Sequence, residues 1–235
     1  FGTAWKDLDS PEMQFALEMV ATIREVVGPE IGLMIEYHGR LSVAAAVRMI
    51  RLLEPYNPAW SEEPVTPDSL DLLAEVKRHT SGPIAAGERL YTLADFHRLT
   101  SLRAADIVQM DVAHCGGILA AKKIAAMALA QDMRVAPHCS IGPVALAAAL
   151  HFDIGTPNFL IQENFGDFDV PWRDQLVGGW NPVSNGEFFL SDKPGLGLDI
   201  DEDAVAAHPY VKNAFPSLWD GEWLENFKQD ELPEN

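Results

Sequence analysis

The chain has 235 residues, 48 % of them hydrophobic, enough for one sizeable core; single α/β barrels commonly run to about 200–250 residues, so length does not require two domains. The formal charge of −18, from 17 basic and 35 acidic residues, excludes nucleic-acid backbones and anionic membranes as partners, because both select positive patches. Cys115 and Cys139 lack framework spacing, no apolar run is long enough to span a bilayer, and no signal peptide is visible, so a cytoplasmic setting is expected.

In chain order, residues 1–9 carry no strand signal. Ser10-Pro11-Glu12 then reads as a cap with proline at the first helical position, and apolar residues recur at helical spacing to Val27, where Gly28-Pro29 ends the run. From there strands are predicted near 31–36, 59–62, 83–87, 106–110, 133–137 and 158–162. Helices are predicted near 42–53, 69–79, 92–100, 117–131 and 142–151, with Ser42, Asp68 and Thr92 as caps. The apolar runs are short and do not alternate, as in a parallel sheet covered on both faces.

After Glu163 the rhythm fails. Residues 164–235 hold four of the six tryptophans, Trp172, Trp180, Trp219 and Trp223, and Ser184-Asn185-Gly186 before GEFFLSD reads as a hairpin. The acidic stretches Asp199–Asp203 and Asp230–Glu234 read as solvated surface. This divides the chain into a partial (β/α) barrel over 1–163 and a C-terminal segment over 164–235 of the same domain. Only six strands are visible where a closed barrel needs eight, so the chain reads as the later part of an incomplete TIM-type barrel. The competing architecture, an open doubly wound sheet, lacks its Gly-rich fingerprint, since Cys115-Gly116-Gly117 is too short to serve as one.

Glu36, Glu62 and Glu88 each end a short apolar run, and 26 residues separate both the first pair and the second. In a repeating strand–helix chain that spacing predicts side chains at one height on neighbouring parallel strands. Carboxylates so gathered repel one another unless a cation joins them, and all-oxygen donors favour Mg²⁺. The three glutamates are therefore predicted metal ligands. Ligands of one Mg²⁺, at about 2.0–2.1 Å each, lie within about 4 Å of one another.

Further strand ends carry Asp111, His138 and Glu163, at intervals of 23, 27 and 25 residues. All would point into the C-terminal mouth of a barrel, where active sites of this architecture sit. His38, two residues after Glu36, shares its face and reads as a ligand or a general acid. Asp111 beside His138 can fix the imidazole tautomer and raise its basicity, as in a base dyad. His97, His114, His151 and His208 read as structural, Glu63 as a salt-bridge or loop residue, and Cys139 as packing.

Glu36-Tyr37-His38-Gly39-Arg40, Ser61-Glu62-Glu63-Pro64-Val65, Ala86-Gly87-Glu88-Arg89, Gln109-Met110-Asp111 with Gly116-Gly117, Ala136-Pro137-His138 and Gln162-Glu163 resemble the motifs of the enolase superfamily. The likeness is to its mandelate racemase subgroup, and there to galactonate-dehydratase-like acid-sugar dehydratases, over about residues 10–205. The resemblance implies a (β/α)₇β barrel with an N-terminal capping domain and Mg²⁺ on three strand-end carboxylates. It further implies His138–Asp111 as the base that takes the proton α to a carboxylate, a His base with Mg²⁺ being the superfamily's known pairing. His38 is implied as the acid for the leaving hydroxyl, and Glu163 as a hydrogen-bonding group on the enediolate side.

Two departures stand out. Glu36 occupies a position where the family has Asp, and the capping domain and first two barrel strands are absent from the chain. The expected function is Mg²⁺-dependent dehydration of a sugar acid to a 2-keto-3-deoxy acid, by a protein expected to form homo-oligomers. The alternatives are a racemase or epimerase using the same enediolate, and a catalytically incomplete fragment.

Overall fold

The computed structural model describes residues 6–165, 172–180 and 182–209. Asp230–Glu234, Trp219 and Trp223 lie outside them. Helix α1 spans Ser10–Val27, and its cap is Asp9 rather than Ser10: the Asp9 carboxylate accepts the Glu12 amide at 2.8 Å while Glu12 accepts the Asp9 amide at 2.9 Å. A reciprocal pair satisfies two of the helix's orphan donors, which a serine one residue later cannot do.

Strands and helices then alternate: β1 Met34–Glu36, α2 Val43–Leu53, β2 Trp60–Glu62, α3 Leu70–His79, β3 Ile84–Ala86, α4 Leu93–Ser101, β4 Ile107–Val108, α5 Gly117–Leu129, β5 Arg134–Val135 and α6 Pro143–Asp153. Ser42 and Thr92 cap α2 and α4 through their side chains, Thr92 in a capping box with Asp95. Asp68 does not cap α3. Ser69 holds that position, and Asp68 instead accepts from the Thr66 hydroxyl at 2.8 Å, closing its own short turn.

The five strands form one parallel sheet in sequence order, β1 to β5. The sixth predicted strand, over 158–162, is reduced to a single parallel bridge between Val135 and Phe159. Two ladder bonds hold it, Val135 N to Asn158 O at 2.9 Å and Leu160 N to Val135 O at 2.8 Å. Lys6, in the stretch without strand signal, likewise bridges Leu41. The barrel does not close among the described residues.

The sheet sorts its residues by the two-residue period of a strand. Ile84, Ala86, Val108 and Val135 join the main core under the helices, with Phe96, Ile124 and Phe152. Trp60, Ala85, Ile107 and Ala136 form a second cluster on the opposite face. Helix α1 contributes Met13 and Val20 to the main core, yet Phe15 stays 65 % and Val26 80 % exposed. The predicted hairpin is present as β6 Val183–Ser184 and β7 Glu187–Phe188, followed by α7 Glu202–Ala207. Trp180, Phe188 and Leu190 of this segment pack on Cys139, Leu146 and Leu150. No helix among the described residues is long and apolar enough to cross a membrane.

Candidate active site

Strand parity decides what faces the mouth. Trp60 lies on the inner face of β2, so Glu62, two residues on, shares it. Glu36 stands directly opposite Glu62 in the β1–β2 register, as its spacing predicts. The same parity carries inward from Ile107 to Asp111 and from Ala136 to His138, and a parallel bridge pairs Asp111 with His138.

Glu88 arrives by another route. In the β2–β3 register Glu62 pairs with Ala85, so Glu88 lies three residues beyond the strand height that equal spacing predicts. Gly87, at φ 144°, resets the alternation between them, and a Cβ there would meet Gln109 backbone atoms at 3.0 Å. The loop thus depends on glycine to pass close to β4 and turn Glu88 into the mouth.

Around this mouth Glu36, His38 and Glu88 each offer a donor atom within 4.8 Å of the other two. His38 Nδ1 is 3.5 Å from Glu88 Oε1 and 3.8 Å from Glu36 Oε1, and the His38 amide donates to the Glu36 carboxylate. Glu62 joins through a side-chain hydrogen bond with Glu36, while its Oε2 accepts from Trp60 Nε1 at 2.9 Å. Glu63 turns away and is buried against Arg89, whose Nε donates to it at 2.6 Å.

Crowding shows in the acidities. Burial, then the charge and hydrogen bond of Glu62, then Glu88, push the Glu36 carboxyl up to about 11. Its side chain is 41 % exposed, too wet for burial alone to hold it neutral, so the neighbouring acids carry much of the effect. Glu88 is pushed up to about 7 by burial and by the charge of Glu63, offset in part by His138 and Arg89. Such oxygen donors repel one another until a cation joins them, which suits a hard divalent ion.

Beside this cluster stands the Asp111–His138 pair. His138 Nδ1 is 2.7 Å from Asp111 Oδ2, and the far edge of the ring, at Nε2, lies 3.4 Å from Glu88 Oε2 and 3.9 Å from Glu163 Oε2. Burial alone would make His138 less basic, but the hydrogen bond to Asp111 and the charges of Glu163 and Glu88 raise it. His38 moves the other way, lowered by burial and by the charges of Arg89 and Arg40. Glu163 is raised by burial, against the pull of the Cys139 amide that donates to its Oε2 at 2.7 Å.

One residue of this neighbourhood escapes the sequence reading. His114 belongs to the turn after β4, and its Nδ1 lies 3.8 Å from Asp111 Oδ2. The signal available was its place three residues after Asp111, the step that brings side chains together in a helical turn. His208 stacks on Trp172 with ring centroids 4.3 Å apart. Cys139 is buried, its thiol pushed up to about 12, first by that burial and then by Asp111 and Glu163.

Comparison with known proteins shows what the chain as a whole is similar to. Residues 4–204 match the family described as enolase C-terminal domain-like. A D-gluconate/D-galactonate dehydratase of Picrophilus torridus is 42 % identical over 187 residues, covering 80 % of the chain and 48 % of the relative. A D-galactonate dehydratase of Cronobacter sakazakii is 39 % identical over 207 residues, covering 85 % of the chain and 53 % of the relative. Among solved structures, a mandelate racemase/muconate lactonizing enzyme from Jannaschia sp. CCS1 superposes with a TM-score of 0.83 at 37 % identity, covering 89 % of this chain and 53 % of that one. The chain spans about half the length of the curated relatives it matches. With the match running through every strand end that carries an acid or a histidine, the chain belongs to the enolase C-terminal domain-like family.

Proposed function

We propose that the protein dehydrates a sugar acid, with Mg²⁺ held by Glu36, Glu62 and Glu88. The observation that carries this reading is the Asp111–His138 contact at 2.7 Å, with Nε2 of the same ring turned to Glu88 and Glu163. It puts a proton acceptor beside a cluster of acids, the pairing that abstraction of a proton α to a carboxylate requires. The names of the relatives, D-galactonate and D-gluconate/D-galactonate dehydratases, support a sugar acid as the substrate.

That proton is very weakly acidic, and its removal puts a second negative charge on the substrate carboxylate, so the site must lower the barrier by on the order of ten kcal/mol. Bound Mg²⁺ would supply positive charge where the new negative charge develops. His138 Nε2 takes the α proton, and Asp111 holds the ring and stabilises the imidazolium so formed. Glu163, favoured in its neutral form by burial, donates a hydrogen bond to the enediolate. His38 gives its proton to the β-hydroxyl as the C–O bond breaks, and water leaves. The enol that remains tautomerises to the 2-keto-3-deoxy acid. His38, after β1, contacts Glu36 and Glu88, while His138, after β5, contacts Asp111 and Glu163, so acid and base come from different strand ends.

The test is a panel of aldonic and aldaric acids incubated with Mg²⁺ and assayed for 2-keto-3-deoxy products, using the protein at the full length of its relatives. Product from one or more acids is expected. Exchange of the α proton with solvent deuterium and no loss of water would make it a racemase or epimerase, and no reaction across the panel would count against both.

A further inference from the structure

We propose that Asp111, His114 and His138 form a second metal site, selective for a borderline cation such as Zn²⁺, whose occupation silences the base. One donor atom from each residue lies within 4.8 Å of one from each of the others. The two imidazoles converge on a single oxygen: Asp111 Oδ2 is 2.7 Å from His138 Nδ1 and 3.8 Å from His114 Nδ1. Their rings stack with centroids 6.2 Å apart and planes 27° from parallel, so the two imidazoles are neighbours as well as sharing one carboxylate. Asp111 is only 2 % exposed, and its other oxygen is occupied by the backbone amides of Ala113, at 2.7 Å, and His114, at 3.3 Å. Those two bonds fix the carboxylate and leave Oδ2 to the histidines.

Two imidazoles and one carboxylate make a donor set that suits zinc and its neighbours, whereas Mg²⁺ prefers oxygen. In a tetrahedral site with bonds of about 2.0–2.2 Å, neighbouring donors stand about 3.3 Å apart. His138 then draws back from Oδ2 by about half an ångström and His114 closes by about as much, small rotations of two side chains. The remaining coordination position falls to water. An ion here replaces the Asp111–His138 hydrogen bond, removing the contact that sets the tautomer of His138. The ion would sit at Nδ1, on the Asp111 side of the ring, whereas Nε2 faces the glutamate cluster, so this site and the Mg²⁺ site are separate.

The metal-free chain is titrated with Zn²⁺ in the presence of saturating Mg²⁺, and X-ray absorption at the zinc edge counts the imidazoles around the ion. One ion per chain with two imidazoles in its shell is expected. His114→Ala and His114→Gln should each weaken Zn²⁺ binding at least tenfold while leaving the Mg²⁺-induced rise in Tm in place. An ion bound by one imidazole or none, equal Zn²⁺ affinity in both variants, or competition between Zn²⁺ and Mg²⁺ overturns the site. Inhibition of dehydration by Zn²⁺, relieved in the His114→Gln variant, rests on the dehydratase reading. The binding measurement does not, so failure of that reading and failure of this one are told apart.

Discussion

The carboxylate of Asp111 and the imidazole of His138 meet at 2.7 Å from neighbouring strand ends, 27 residues apart in the chain. The carboxylate oxygen fixes Nδ1 as the protonated nitrogen and leaves Nε2 to accept a proton. Asp111→Asn keeps the shape of the contact and removes the charge that stabilises the imidazolium. Steady-state kinetics on this variant should show kcat lower by about a hundred- to ten-thousandfold with KM little changed. A kcat within threefold of the parent would remove Asp111 from the chemistry.

The glutamate cluster gives opposite outcomes with and without metal. In the metal-free protein burial and its acidic neighbours favour the neutral form of Glu36, so at neutral pH folding must take up a proton there and Glu36→Gln should raise stability rather than lower it. Mg²⁺ at about a hundred times its Kd should stabilise the parent by about 2.7 kcal/mol, and Glu36→Gln and Glu88→Gln should lose that gain. Thermal unfolding with and without Mg²⁺ reads both effects. A full Mg²⁺ shift in both variants would place the ion elsewhere.

Asp153, at the end of α6, is 7 % exposed, and neither carboxylate oxygen has a hydrogen-bond partner. Burial raises it from 3.8 to about 8. Between those values the folded chain keeps the proton and the unfolded chain releases it, so stability falls as pH climbs through the window. The cost is absent below the unfolded value, reaches on the order of a few kcal/mol near pH 8, and is constant above it. Asp153→Asn abolishes the titration. The Tm of this variant minus that of the parent should therefore grow from pH 5 to pH 8, and a constant difference would contradict the assignment.

Cys139 and Cys115 are buried, and their thiols are pushed up to about 12 and about 11, in both cases by burial first and then by Asp111. Alkylation of the native protein at pH 8 should run on the order of 100-fold slower than in the denatured chain. Rapid labelling of native Cys139 would mean that its sulfur is a reactive group rather than packing.

Much of this site is written in spacing, but one interval misleads. The 26 residues between Glu36 and Glu62 and the 27 between Asp111 and His138 equal the observed registers. The second interval of 26 matches no register, because β2 and β3 pair with an offset that puts Ala85 opposite Glu62. Glu88 still reaches the mouth, through the backbone turn at Gly87, a tertiary close approach that no periodicity encodes. The caps at Asp9 and Ser69 each lie one residue from the expected position: at Asp9 the carboxylate forms the capping box, while Asp68 is engaged by Thr66 and Ser69 holds the cap position through its backbone alone. The strand over 158–162 reads as apolar and extended, yet just one of its residues is bridged, because a strand's ladder depends on its neighbours as much as on its own residues. His114 carries only the weaker signal of lying three residues after Asp111, because a turn rather than a strand register brings the two together.

The most direct test follows the α proton of a turned-over sugar acid in deuterated solvent, in the parent and in two variants. His138→Asn should lose both deuterium exchange and dehydration by about a thousandfold, whereas His38→Asn should still exchange the α proton but release little or no 2-keto-3-deoxy product. Proton abstraction that survives in His138→Asn at the parent's rate would contradict the assignment of the base, and with it the account of the site.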